Sequence, residues 1–226
     1  MQRPRFQTSD TFQVGGLLAL VGGFLDAHTY ISRGGVFAFA QTGNLIMLGI
    51  RISEGSLGQA LRYLLPISAF ILGVLAAELI RRYFLARSDF HWRQIVVAAE
   101  ALILAAVSFI PQGELNTVST TLISFLCAMQ VESFRKFCGN SYSTTMCTGN
   151  LRSGTELLFH FCADRHKKDG KRSAQYYGII LLFVLGAVLG GLLTRLLSVH
   201  AALFGCLPLI GVFWLMYQEL EPNREL

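Results

Sequence analysis

Charge is scarce in this sequence: Asp, Glu, Lys and Arg together make up 15% of its 226 residues, against about a quarter in an ordinary globular chain. Hydrophobic residues reach 53% and the mean hydropathy is +0.49, which disfavours a soluble domain. Cysteines number five, Cys127, Cys138, Cys147, Cys162 and Cys206, with no C-x-x-C spacing. Four of them fall in or beside segments placed in the membrane or cytoplasm, so they read as free thiols. There is no H-E-x-x-H, P-loop or G-x-S-x-G, and His91, His160, His166 and His200 are scattered. Metal hydrolysis, nucleotide hydrolysis and serine-hydrolase chemistry therefore have no support, and no catalytic residue, metal or cofactor is expected. The balance of 19 Lys and Arg against 14 Asp and Glu is basic, but no stretch interleaves basic and aromatic residues as a nucleic-acid surface does. The first apolar run lacks a small-residue cleavage site and is expected to be retained as a span.

What is present is apolar sequence in runs of spanning length. Six of them, at about 13–32, 62–81, 94–111, 117–134, 175–197 and 201–218, approach the roughly 20 residues that cross a bilayer core as a helix. Two further stretches, 36–50 and 143–161, are fairly apolar but short or interrupted by Thr-Gly-Asn, as re-entrant or discontinuous segments are. Loop charge decides between six spans and eight. With six spans and a cytoplasmic N-terminus, 15 basic residues fall inside and only Arg33, Arg51 and Arg62 outside; eight spans would strand a basic loop outside. The expectation is a multi-pass protein with both termini cytoplasmic and a basic cytoplasmic loop at about 161–173.

The two halves resemble each other. Thr42-Gly43-Asn44-Leu45 recurs as Thr148-Gly149-Asn150-Leu151 at an offset of 106, which also sets Asp26 on Glu132; Phe70-Ile71-Leu72-Gly73 recurs as Phe183-Val184-Leu185-Gly186 at an offset of 113. Three spans per half is an odd number, so the second half enters the membrane in the opposite sense. The predicted fold is an all-α integral membrane domain over 1–226, built of inverted three-helix repeats at about 13–111 and 117–218, each with a broken Thr-Gly-Asn segment.

Thr-Gly-Asn suits a helix start inside a membrane: Thr or Asn caps free N–H groups and Gly permits close backbone approach. Such a terminus favours an anion or a carbonyl oxygen. Thr42, Gly43, Asn44, Thr148, Gly149 and Asn150 are the candidate solute-binding residues, with Gln41 and Gln130 beside them; caps without a ligand are the plainer reading. Ionisable residues within spans are costly and usually face a bundle interior. Asp26 with Tyr30, and Glu132 with Arg135, form the candidate proton or ion-coupling set, or simply neutralise Arg33 and Arg135 and hold helices together. The glycines at 15–16, 22–23, 186 and 190–191 read as close helix packing.

The segments from Gly22 to Ala27, Tyr30, Gly34 to Phe37 and Gln41 to Asn44, then Gln130-Val131, Ser133 to Lys136 and Thr144 to Ser153, resemble the YoaK-like family of bacterial membrane proteins, a domain of unknown function. The resemblance covers nearly the whole chain and implies a bacterial cytoplasmic-membrane protein of about six spans, without implying an activity. Phe39 stands where relatives often carry a polar residue, and Glu132 where Gln is expected. The function expected is a secondary transporter or channel for a small polar or anionic solute, with the lipid bilayer and that solute as partners and a homo-oligomer allowed. Two alternatives stay open: a membrane-embedded enzyme or redox component using Asp26, His28, Tyr30 and Glu132, and an assembly or regulatory subunit whose basic 161–172 stretch holds a partner or anionic lipid.

Overall fold

The computed structural model describes residues 8–85, 92–137, 140–141 and 147–218; the readings placed on Arg3, Arg5, Arg87, His91, Cys138, Thr144 to Met146 and Arg224 lie outside the described residues. The helices are α1 (Phe12–Ser32), α2 (Gln41–Ser53), α3 (Leu57–Leu85), α4 (Trp92–Val107), α5 (Asn116–Ser133), α6 (Cys147–Asp164), α7 (Lys167–Leu197) and α8 (Ala202–Tyr217). A two-residue antiparallel ribbon, β1 (Lys136–Phe137) with β2 (Asn140–Ser141), lies between α5 and α6. The six expected apolar segments fall on α1, α3, α4, α5, α7 and α8.

Three stretches among the described residues, Phe12–Ser32, Leu57–Phe84 and Lys167–Tyr217, are long and apolar enough to cross a membrane by length and composition; the last runs through α7, a 3-10 turn at Ser198–Ala201 and α8. At 1.5 Å per residue α3 is roughly 43 Å long and α7 roughly 46 Å, whereas the 13-residue α2 reaches only about 20 Å, short of a bilayer core. The sequence expectation of a loop over 161–173 is corrected. α6 continues to Asp164 and α7 begins at Lys167, so only Arg165, at φ 57°, and His166 break the helix. Lys and Arg are good helix formers, and their charge marked polarity rather than irregular backbone.

α1 is the centre of the molecule, buried along most of its length and packed against α7 and α8. α3 packs on α5 and α2, α6 on α7, and α4 on α8 and α5. Backbone meets backbone where α1 crosses α7. A Cβ added at Gly23 would strike the Phe183 carbonyl, at Gly186 that of Leu20, and at Gly190 that of Phe24. At the α3–α5 crossing a Cβ on Gly73 would likewise strike the carbonyl of Phe125. Small residues let backbones meet where hydrocarbon supplies no hydrophobic drive between helices. His28 ties the same crossing with Nδ1 2.9 Å from Thr194 Oγ1 and Nε2 3.3 Å from Ser32 Oγ. Outer faces are the reverse of a soluble protein's: Leu72, Leu75 and Leu79 of α3, and Leu181, Val184 and Leu196 of α7, are exposed.

Arg33, counted above as an outer-loop charge, is buried against the end of α4. Its guanidinium donates to the carbonyls of Val107 at 3.2 Å and Pro111 at 3.1 Å, a cation placed at the negative end of a helix.

The glycine contacts set an expectation for stability. Gly186→Ala should cost about 1–3 kcal/mol, read as a lower unfolding midpoint in detergent, because backbone cannot yield as a side chain can. Gly191→Ala, whose Cβ would meet only Ile31 Cδ1 at 3.7 Å, should be neutral or slightly stabilising. Equal midpoints for the two variants would refute the backbone-contact account.

Candidate functional site

The break between α1 and α2 is held from several sides. Gly34 and Gly35 follow α1 at φ 85° and 75°, a region that costs most other residues strain. The chain turns there and packs Phe37 on Tyr30, ring centroids 4.9 Å apart. Two bonds with the Asn44 amide then clamp the turn: Phe37 N–H donates to Asn44 Oδ1 at 3.0 Å, and Asn44 Nδ2 donates to Phe37 O at 2.8 Å. Asp26, one helix away, accepts from the N–H groups of Phe39 at 2.7 Å and Ala40 at 3.3 Å. Ala38 O receives Gln41 Nε2 at 2.9 Å and Ser124 Oγ at 3.1 Å. Backbone left unpaired at such depth costs several kcal/mol per group, and here side chains from α1, α2 and α5 satisfy it.

This corrects the capping expectation. α2 begins at Gln41, before Thr-Gly-Asn, with no side chain of its own capping it. The carboxylate of Asp26 takes the amides of Phe39 and Ala40 just ahead of the helix, and Asn44 reaches back to close the turn. Gly43 is required by Phe37, whose ring would lie 2.8 Å from an added Cβ. α6 begins likewise at Cys147, one residue before Thr148.

A cavity of about 760 Å³ opens where these helix starts meet, within the size range of small-molecule sites. From the first half Asp26, Tyr30, Phe37, Phe39, Gln41, Thr42 and Phe70 line it; from the second, Val131, Cys147, Thr148, Gly149, Phe183 and Ala187. Six of the twelve sequence candidates thus share one wall: Asp26, Tyr30, Gln41, Thr42, Thr148 and Gly149. The cavity is largely apolar and aromatic, and Asp26 is the only carboxylate among its described lining residues, which include no Lys, Arg or His. Among the described residues nothing lies within 4 Å of a Cβ built on Gly149.

The other candidates stand elsewhere. Asn44 and Asn150 are buried in α2 and α6, outside the lining, and Gly43 lies under Phe37. Glu132 pairs with Arg135, which also reaches Glu78 at 2.5 Å, and Glu78 holds Arg81 at 2.9 Å. This alternating set joins the ends of α5 and α3. Gln130 is buried and, with its amide nitrogen toward α4, donates to Glu100 Oε1 at 2.8 Å; that orientation is assigned from the hydrogen bonding. Of the residues named for an enzymatic reading, His28 is engaged by Thr194 and Ser32 and does not line the cavity. Among the described residues no three His, Cys, Asp or Glu side chains cluster to hold a metal ion. Sequence reasoning missed Phe37, Phe39 and Cys147 as wall residues. It also missed Phe70 and Phe183, although the repeat had already matched those two.

The chain belongs to the family described as Protein of unknown function (DUF1275), whose model matches residues 14–215. It is similar to the UPF0700 transmembrane protein YoaK of Bacillus subtilis (strain 168), 27% identical over 181 residues, which cover 76% of this chain and 79% of that protein. The resemblance drawn from the motifs above therefore holds. No solved structure matches. With its three apolar helical stretches and outward-facing leucines, the chain is a helical membrane protein of that family.

Asp26→Ala should orphan the Phe39 and Ala40 amides, at about 1–3 kcal/mol for each, and amide exchange over residues 37–44 should quicken. Asp26→Asn keeps an acceptor oxygen and should exchange nearly as the parent does. If exchange there is unchanged in Asp26→Ala, the carboxylate does not hold this turn.

Proposed function

We propose that the chain is a secondary transporter or channel for a small solute with a polar end, bound in the cavity where α2 and α6 begin. The observation that carries this reading is convergence: two copies of one motif, in distant halves of the sequence, line the same hollow with Thr42 and Thr148. Phe70 and Phe183, matched with each other by the second sequence correspondence, line it too.

In this reading α2 and α6 enter the bilayer without crossing it, which leaves three spans per half and makes the halves inverted repeats. Helix order supports it: 21, 13, 29 and 16 residues in α1–α4, then 18, 18, 31 and 16 in α5–α8. Packing supports it as well, since exchanging the halves turns the α1–α7 contact into α5–α3, with Gly186 and Gly73 as counterparts. Rocking of one half against the other would expose the cavity alternately to the two sides.

The aromatic walls favour a solute with an apolar body, and the wall threonines, Gln41 and Asp26 supply hydrogen bonds to its polar end. For an anionic solute, Asp26 must carry a proton while the solute is seated, because two negative charges in so apolar a hollow repel strongly. Movement of the anion is then coupled to that of a proton. The orientation we infer puts both termini in the cytoplasm of a bacterial cell, with the protein in the inner membrane.

Two measurements test this reading. Reconstituted in liposomes, the protein should pass some member of a panel of neutral, anionic and cationic small solutes. Gly149→Leu, which adds bulk to the cavity wall at a position where a Cβ meets none of the described residues within 4 Å, should remove most of that flux while leaving the unfolding free energy within about 0.5 kcal/mol of the parent. Absence of flux across the whole panel would sink the proposal. For the orientation, the exposed Cys162 should react with an impermeant maleimide in inside-out vesicles and not in right-side-out ones; the reverse pattern would invert the topology.

A further inference from the structure

A second hollow, of about 410 Å³, lies between the end of α6 and the start of α7, remote from the cavity above and sharing none of its lining residues. Leu158 and Phe161 of α6 form one side; Lys167, Lys171, Ala174 and Tyr177 of α7 form the other. The helices are fastened at the inner end, where Ser173 Oγ donates to Gly154 O at 2.8 Å and Tyr177 Oη lies 2.8 Å from Thr155 Oγ1. They are also fastened at Gly170, where a Cβ would come within 2.8 Å of the Phe161 ring. The groove is thus part of a fixed hairpin.

Its chemistry is graded along one helix face. Residues 167, 171, 174 and 177 follow the three- and four-residue spacing of a single stripe, so two ammonium groups stand at one end and a small and an aromatic residue at the other. From Lys171 to Tyr177 the helix rises roughly 9 Å. No charged residue occurs between Arg172 and Arg195, so the cationic end lies at the margin of the membrane and the apolar end points into it. The local balance is also cationic: residues 164–172 hold Arg165, Lys167, Lys168, Lys171 and Arg172 against Asp164 and Asp169. Asp164 is partly occupied by His160, 3.7 Å away.

We propose that this groove binds one anionic phospholipid, its phosphate held by Lys167 and Lys171 and the upper part of an acyl chain laid along Phe161, Ala174 and Tyr177. Charge complementarity selects a negative headgroup. The apolar track below the lysines, opening toward hydrocarbon, selects a lipid over a soluble anion, which would have no use for it. The lipid would clasp α6 to α7 at the level of the headgroups and so brace the shorter, more polar α6 against one of the long apolar stretches.

The test is a titration of the detergent-solubilised full chain with dioleoylphosphatidylglycerol, dioleoylphosphatidylcholine or inorganic phosphate, with bound lipid counted by native mass spectrometry. The parent should bind one phosphatidylglycerol in preference to phosphatidylcholine. The double variant Lys167→Gln/Lys171→Gln should lose about thirtyfold in that affinity, from the usual worth of two membrane-surface cations. Arg165→Gln/Lys168→Gln removes the same charge beside the groove and should change it by less than about threefold. Ala174→Trp, which blocks the acyl track and keeps both lysines, should also release the lipid. Equal losses in the two charge-matched doubles would reduce the effect to diffuse surface potential and overturn the site. Displacement of the lipid by millimolar phosphate would make it a soluble-anion site and overturn it as well. The unfolding midpoint of each variant in lipid-free detergent should match the parent's, which separates lost binding from lost fold.

Discussion

Peptide groups cannot be left unpaired where water is absent, and the Asp26 carboxylate meets that constraint for the break between α1 and α2. Its oxygen accepts the amides of Phe39 and Ala40, Asn44 closes the turn on Phe37, and Ser124 brings α5 to the same loop. A carboxylate that would be an expensive passenger on a spanning helix thereby stabilises the chain reversal between α1 and α2. The cavity depends on this arrangement, because the start of α2 forms part of its wall only while the turn is held.

The rest of the architecture follows from how closely two helices can approach. Gly23, Gly186 and Gly190 bring the backbones of α1 and α7 into contact, and Gly73 does so for α3 and α5. With bulkier residues at these points the helices would separate, and hydrocarbon would give them no reason to return. His28 and Thr194 add a hydrogen bond at the first crossing that has no counterpart in lipid. Glu100 of α4 and Gln130 of α5, both buried, are paired with each other in the same manner.

The helices were legible because hydrophobic runs of spanning length have few other readings, and the Thr-Gly-Asn segments were legible as places where a helix must start. Cap identity was not. Which side chain satisfies a terminal amide depends on what packs beside it, and Asp26 lies thirteen residues before Phe39. The basic stretch at 161–173 misled for a related reason: charge reports exposure to water, and a helix can be exposed as readily as a loop. Glu132 illustrates the limit of a repeat. An offset of 106 sets it on Asp26 in the sequence, yet Arg135 and Glu78 lie within reach at the end of α5, so the two acids have different neighbours. The cavity's phenylalanines were hidden for the opposite reason, since an aromatic residue in an apolar run carries no sign of whether it faces lipid, core or a hollow.

The lengths of α3 and α7 carry a consequence for the surrounding bilayer. At roughly 43 and 46 Å they exceed a hydrocarbon thickness of about 30 Å by more than a third. Part of the excess is the polar first turn of α7 and the arginines at the end of α3, which belong among headgroups. The stretch of α7 without charge, between Arg172 and Arg195, is roughly 33 Å long, and its small excess can be taken up by leaning from the membrane normal or by locally thickening the bilayer, at fractions of a kcal/mol per Å of mismatch. Since α7 is locked to α1, and α3 to α5, any such lean is shared by pairs rather than by single helices. A change in bilayer thickness would therefore be felt by these helices two at a time, and both pairs contribute residues to the hollow.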